Sequence, residues 1–162
     1  MKSSEPIRGF GLGLRTQHYA EIADGVAGID WLELLTENFM VPGGRPLYWL
    51  DRISARYPVV LHGVSLSIGG CDPIDHEYLA DVRRLARRCG AQWISDHLCW
   101  TSIDGRNLHD LMPLPFTPEA VDHVVARVRR VQEILECRIL LENVSSYATA
   151  RHGTMSEWQF LA

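Results

Sequence analysis

Short apolar runs and amphipathic stretches alternate along this chain from one end to the other. Strand-like runs fall at 10–14, 31–38, 59–66, 93–100 and 138–144, and helical patterns at 16–27, 46–56, 74–89 and 118–136. Parallel strands need a crossover between them, so regular βα alternation predicts a parallel sheet. Right-handed crossovers then leave two architectures, an open doubly wound sheet or a barrel. Strand parity favours the barrel. In WLELLTEN, Glu33 and Glu37 share one face while Leu32 and Leu34 share the other. In RILLENV, Glu142 shares a face with Leu140, opposite Ile139 and Leu141. A polar face backed by an aliphatic one suits a barrel with a polar mouth. A doubly wound sheet, covered by helices on both faces, is more uniformly apolar. GFGLGL lacks the glycine spacing of a dinucleotide loop, and no Walker sequence occurs.

The clearest helix is 118–136. Val121, Val124, Val125, Val128, Val131 and Leu135 recur at helical spacing, Thr117 is the expected N-cap and Pro118 the first helical residue. Gly90 is placed to end the 74–89 helix. Residues 155–162 read as the start of another helix. A complete eight-fold barrel usually takes about 250 residues. We therefore expect residues 1–162 to be a single domain, the N-terminal portion of an α/β TIM barrel comprising its first five βα units.

Sixteen basic residues against twenty acidic ones give a net charge of −4, which gives no reason to expect nucleic-acid binding. Two arginine clusters (Arg83, Arg84, Arg87, Arg88; Arg127, Arg129, Arg130) lie in helical patterns and read as solvated faces. The four cysteines form no CxxC pair and no zinc spacing. The opening MKSSEPIRGFGLGLR has no signal-like apolar stretch, and no run approaches a membrane span. These features predict a cytoplasmic protein with reduced thiols and no membrane partner.

Three candidate metal ligands stand near the ends of successive strand-like runs: His62 in VVLHGVSLSIGG, His97 in WISDHLCW and Glu142 in RILLENVSSY. Residues at C-terminal strand ends form the active site of a parallel barrel. Two imidazoles and a carboxylate are the donors of non-haem iron chemistry. Taken singly, His62 is either a ligand or a hydrogen-bonded histidine at a strand end. Glu142 is either a ligand or an arginine's ion-pair partner, since carboxylates are rare at buried strand ends without one. Glu37, Asn38 and Asn143 are expected to support ligands or touch substrate. Asp96 is a candidate partner for an imidazole, although its parity opposes that of His97. Gly69-Gly70 reads as a turn, His109 and Asp110 as loop residues, and Cys99 as a small buried residue or a reactive thiol. His18, His76, His123 and His152 are read as non-ligands.

GFGLGLR, LELLTENFM, VVLHGVSLSIGG, ISDHLCW, LMPLPFTPEAVDHVVARVRRVQEIL and ILLENVSSY, in this order, resemble the multinuclear non-haem iron-dependent oxidative enzymes over nearly the whole chain. That family includes the methanobactin-biosynthesis oxygenase. The resemblance implies a xylose-isomerase-like TIM barrel with two or three iron ions. It implies oxygen-dependent modification of cysteine, or another residue, in a ribosomally made precursor peptide. It also implies a small partner protein that recognises the leader. The family's first-half ligands fall on His62, His97 and Glu142. Its remaining ligands come from the second half of the barrel, beyond this sequence, so fewer irons or none are expected on this chain alone, and its activity as an enzyme is left open.

Two other readings stand beside this one. Related barrels use His and carboxylate sites with divalent metals for sugar isomerisation or phosphodiester hydrolysis. A five-unit fragment could instead be non-catalytic, needing a complementary half or associating with itself through open parallel edges.

Overall fold

The computed structural model describes residues 6–145 and 153–162. Its strands are β1 (Gly11–Gly13), β2 (Trp31–Leu35), β3 (Val59–Gly63), β4 (Ile94–His97), β5 (Trp100–Ile103), β6 (Arg106–Met112) and β7 (Ile139–Glu142). Its α-helices are α1 (Tyr19–Asp24), α2 (Arg45–Ser54), α3 (His76–Cys89), α4 (Pro118–Leu135) and α5 (Glu157–Leu161). Five strands form one sheet in the order β1-β2-β3-β4-β7, and β5 pairs with β6 in a separate two-stranded sheet. β1, β2 and β3 are parallel neighbours. The fold is thus α/β with a five-stranded parallel sheet, and its strand order never doubles back along the chain. No helix of the described residues is long and apolar enough to cross a membrane.

Contacts gather into two compact units, one running to Gly63 and taking in Ala80–Ser95, the other comprising Val64–Leu79 and the chain from Asp96. In the first unit, β2 alternates as its sequence predicts: Leu32 and Leu34 are buried, and Trp31, Glu33 and Leu35 are half-buried. Leu32 pairs with Val59, Leu34 with Leu61 and Leu35 with His62. Leu50, Ile53, Val59, Val60 and Leu61 complete the apolar interior. Gly11 is required where Trp31 crosses β1, because a Cβ there would lie 2.1 Å from the indole ring. The second strand ends earlier than the 31–38 run suggests. Thr36–Phe39 curls into a 3₁₀ turn that carries Phe39 inward, stacked on Tyr19 at 6.2 Å. Burial of that ring outweighs continued strand alternation.

In the second unit, the expected 93–100 strand divides. β4 stops at His97, the Cys99 amide turns back to the His97 carbonyl, and β5 begins at Trp100. β5 and β6 form an antiparallel hairpin, so His109 and Asp110 lie on a strand rather than in the expected loop. Asp104 and Gly105 at its tip have φ of 50° and 71°, the paired left-handed conformation of a tight hairpin turn. The Asp-Gly pair is the local signal for that hairpin. α4 runs as predicted, with Thr117 accepting from the Ala120 amide and Pro118 in its first turn. Val124, Val131 and Leu135 are buried, but Val125 lies 39% exposed, to one side of the apolar stripe. Val124 packs with Leu114 and Phe160, joined by Leu98, Trp100, Phe116, Val121 and Val128. The short α5 opens with a Ser156–Gln159 capping box.

Candidate metal centre

His62 closes β3 one residue before its end, and His97 and Glu142 are the last residues of β4 and β7. One ligand atom from each lies within 4.8 Å of the other two. Two donors on one ion stand at most about 4.4 Å apart, twice the longest ordinary metal–ligand distance. The three groups are thus candidates for sharing one ion. Two imidazoles and one carboxylate are the donor types of non-haem iron sites, which leave other coordination positions open. His97 is buried, His62 half-buried and Glu142 exposed. The exposure of Glu142 follows from β7, where Leu140 is 53% exposed. In the described chain this carboxylate does not end a buried strand, so rarity at such positions is not what singles it out.

Neighbouring groups bond to these three candidate ligands and to the strands that carry them. His62 Nδ1 is 2.8 Å from Ser95 Oγ, and Ser95 Oγ is 3.3 Å from the Leu61 carbonyl. Ser95 precedes His97 by two residues on β4, so the two share a face of that strand. Asp96, on the opposite face, is buried. Its carboxylate accepts from the Leu66 amide at 3.2 Å and the His97 amide at 2.7 Å. It thus grips the backbone of His97 and the loop after β3. The Leu98 amide donates to the Glu142 carbonyl at 2.7 Å, tying the end of β4 to the end of β7.

The loop after β3 is held mainly by Arg127. Its Nε donates to the Ile68 carbonyl at 2.9 Å, Nη1 to the Asp72 carbonyl at 2.8 Å and Nη2 to the Ser67 carbonyl at 3.3 Å. Arg127 is therefore not the solvated helix-face residue expected from its cluster; partial burial lowers its pKa. Ser67 Oγ accepts from the Thr101 amide, and Gly69 donates to the Cys99 carbonyl. Gly69 lies tight against Leu114, where an added Cβ would come within 2.5 Å of the leucine side chain. This packing gives the Gly-Gly turn its purpose. Cys99 is fully buried, and burial and the Asp96 carboxylate push its thiol up to about 12, which favours the apolar reading over the reactive one.

The other candidates are dispersed. Glu37 and Asn38 lie in the 3₁₀ turn after β2, the former half-buried and the latter exposed. Asn143 Nδ2 donates to Glu157 Oε1 at 3.1 Å, joining the end of β7 to α5. His123 Nε2 lies 2.9 Å from the Gly70 carbonyl. His109 and Asp110 are exposed on β6, and His152 lies outside the described residues. Sequence reasoning did not single out Ser95 or Arg127. Ser95 had one visible sign, its shared parity with His97.

Residues 9–162 match the family described as RiPP precursor modification enzyme MbnB/TglH/ChrH, enzymes acting on ribosomally made peptides. The chain is similar to a UPF0276 protein of Anaeromyxobacter sp. (strain Fw109-5), 53% identical over 162 residues, covering all of this chain and 57% of that one. A UPF0276 protein of Caulobacter vibrioides (strain NA1000 / CB15N) is 49% identical over 159 residues, covering 98% and 57%. One from Acaryochloris marina (strain MBIC 11017) is 48% identical over 162 residues, covering 100% and 58%. The chain spans less than three fifths of the length of these relatives. With the family's description matched over residues 9–162, this chain belongs to the MbnB/TglH/ChrH family of RiPP precursor modification enzymes.

Proposed function

We propose that this chain carries the first half of an iron-dependent oxidative site that modifies cysteine, or another residue, in a ribosomally made precursor peptide. The observation that carries this reading is the convergence of His62, His97 and Glu142 in a member of that family. The whole protein would be a TIM barrel, with 1–162 as the N-terminal portion of that single domain. The strand order supports this. A doubly wound sheet reverses direction at a switch point, whereas β1-β2-β3-β4-β7 does not. The residues would hold iron through His62, His97 and Glu142, with further ligands supplied by the rest of the protein. When bound, iron would supply redox chemistry with dioxygen and affinity for a thiolate. The chain's own part is to present two imidazoles and a carboxylate at strand ends. Glu37, Asn38 and Asn143 would contact the peptide or steady the ligands, and Asp96 fixes the backbone of His97. A small leader-binding protein would deliver the peptide, in the cytoplasm, and the open sheet edges of the chain alone would self-associate.

The test is co-expression of the whole protein, this chain joined to the remainder of its barrel, with a cysteine-bearing precursor peptide, followed by peptide mass spectrometry and elemental analysis of the anaerobically purified protein. Bound iron and an oxygen-dependent mass change, both lost in His62→Ala, are expected. Iron-loaded protein that leaves its peptide unchanged would refute the oxidative reading. Tight binding of zinc in preference to iron would point instead to hydrolysis or isomerisation.

A further inference from the structure

We propose that Ser95 is a positioning residue for the metal centre: it fixes His62 in the Nδ1–H tautomer, so that Nε2 presents its lone pair to the ion. The proposal rests on the reading of His62 as a ligand. A serine hydroxyl has one proton and two lone pairs. Ser95 Oγ has two near partners, the Leu61 carbonyl oxygen at 3.3 Å and His62 Nδ1 at 2.8 Å. A carbonyl oxygen can only accept, so the serine proton belongs to Leu61. The reverse assignment would set two oxygen lone pairs against each other at that distance. With its proton committed, Ser95 Oγ can only accept from the ring, and Nδ1 must carry the hydrogen. Neutral imidazole has one N–H, so Nε2 is left as the donor atom. Metal-binding histidines commonly have their second nitrogen fixed by such a partner.

Backbone register places Ser95 for this role. The Leu61 amide donates to Trp93 and the Gln92 amide to Val59, which aligns the end of β3 with the start of β4. Ser95 then stands beside His62 while His97, two residues on, lies on the same face of β4. One strand supplies both a ligand and the group that orients another ligand.

The test uses the 162-residue chain with ¹⁵N-labelled histidine, free of metal, and its Ser95→Ala and Ser95→Thr variants. Long-range ¹H–¹⁵N spectra report which nitrogen of His62 is protonated, and cobalt(II) titration under anaerobic conditions reports affinity. We expect Nδ1–H in the parent, about 10–100-fold weaker cobalt binding in Ser95→Ala, and restoration to within about threefold in Ser95→Thr. An Nε2–H tautomer in the parent, or undiminished binding by Ser95→Ala, would overturn the proposal. Should Ser95→Ala fail to fold, the parent's tautomer and the Ser95→Thr affinity decide. A parent that binds no metal yet shows Nδ1–H would sink the metal reading of the site while supporting control of the ring by Ser95.

Discussion

Arg127→Met should loosen the loop that follows β3. The substitution keeps an unbranched stem and removes the guanidinium, so it isolates the three bonds to the carbonyls of Ile68, Asp72 and Ser67. Two are short, at 2.9 and 2.8 Å, and the third is long, at 3.3 Å. A hydrogen bond from a charged donor contributes about 1.5–3 kcal/mol net. Two effects reduce the sum. Water can reach part of this half-buried site, and the charge no longer has to be desolvated, a cost visible in the lowered pKa of Arg127. We expect a net loss of about 2–3 kcal/mol, well below the simple total. At this chain length that corresponds to a melting temperature lower by roughly 5–10 °C. The effect should be local as well. The Gly69 amide, bonded to Cys99, and the Thr101 amide, bonded to Ser67, should exchange hydrogen faster than amides of β2. Arg127→Lys should recover only part of the loss, because an ammonium cannot reproduce the planar fork. A melting temperature within about 1 °C of the parent, with unchanged exchange at Gly69 and Thr101, would refute the clamp.

Other outcomes follow from the same geometry. Gly69→Ala forces a methyl group against the buried Leu114 and should cost about 1–3 kcal/mol, measurable by urea denaturation. Iodoacetamide at pH 8 should label the exposed Cys71 and leave Cys99 unmodified in folded protein, since the latter's thiol is pushed up to about 12; peptide mapping reads this directly. The Arg88 hydrogen bond holds the Asp51 carboxyl below its ordinary range. A depressed carboxylate pKa contributes stability that is present above the unfolded value and is lost as pH falls through the folded one. Asp51→Asn should therefore lower the melting temperature slightly at pH 7, with the difference from the parent shrinking as the pH falls below about 4, which flattens the acid limb of the profile.

Much of this molecule can be read from its residues, and the failures have physical causes. Val59–Gly63 and Ile94–His97 combine aliphatic runs with clear stops, so their strands and terminal histidines are visible in the sequence. Thr117-Pro118 announces α4 because capping is local chemistry. The end of β2 is different. WLELLTEN continues to alternate, and only the burial of Phe39 against Tyr19 turns the chain at Thr36. The hairpin at Asp104-Gly105 was legible in principle, but the surrounding polar residues concealed short strands whose sheet has only two members. His62, His97 and Glu142 were recognisable by type and position. The bond between Ser95 and His62 depends on register between two strands, and the reach of Arg127 to three carbonyls depends on how α4 packs. Neither is written in local sequence.

The central claim is that His62, His97 and Glu142 together hold a metal ion. Iron(II) affinity of the folded chain, measured anaerobically by competition with a chromophoric chelator, tests it most directly, with His62→Ala, His97→Ala, Glu142→Ala and, as a control, the exposed His109→Ala. The account predicts specific binding by the parent, at least tenfold weaker binding in each of the three site variants, and an unchanged His109→Ala. Folded parent that binds no iron, or site variants that bind as tightly as the parent, would contradict it.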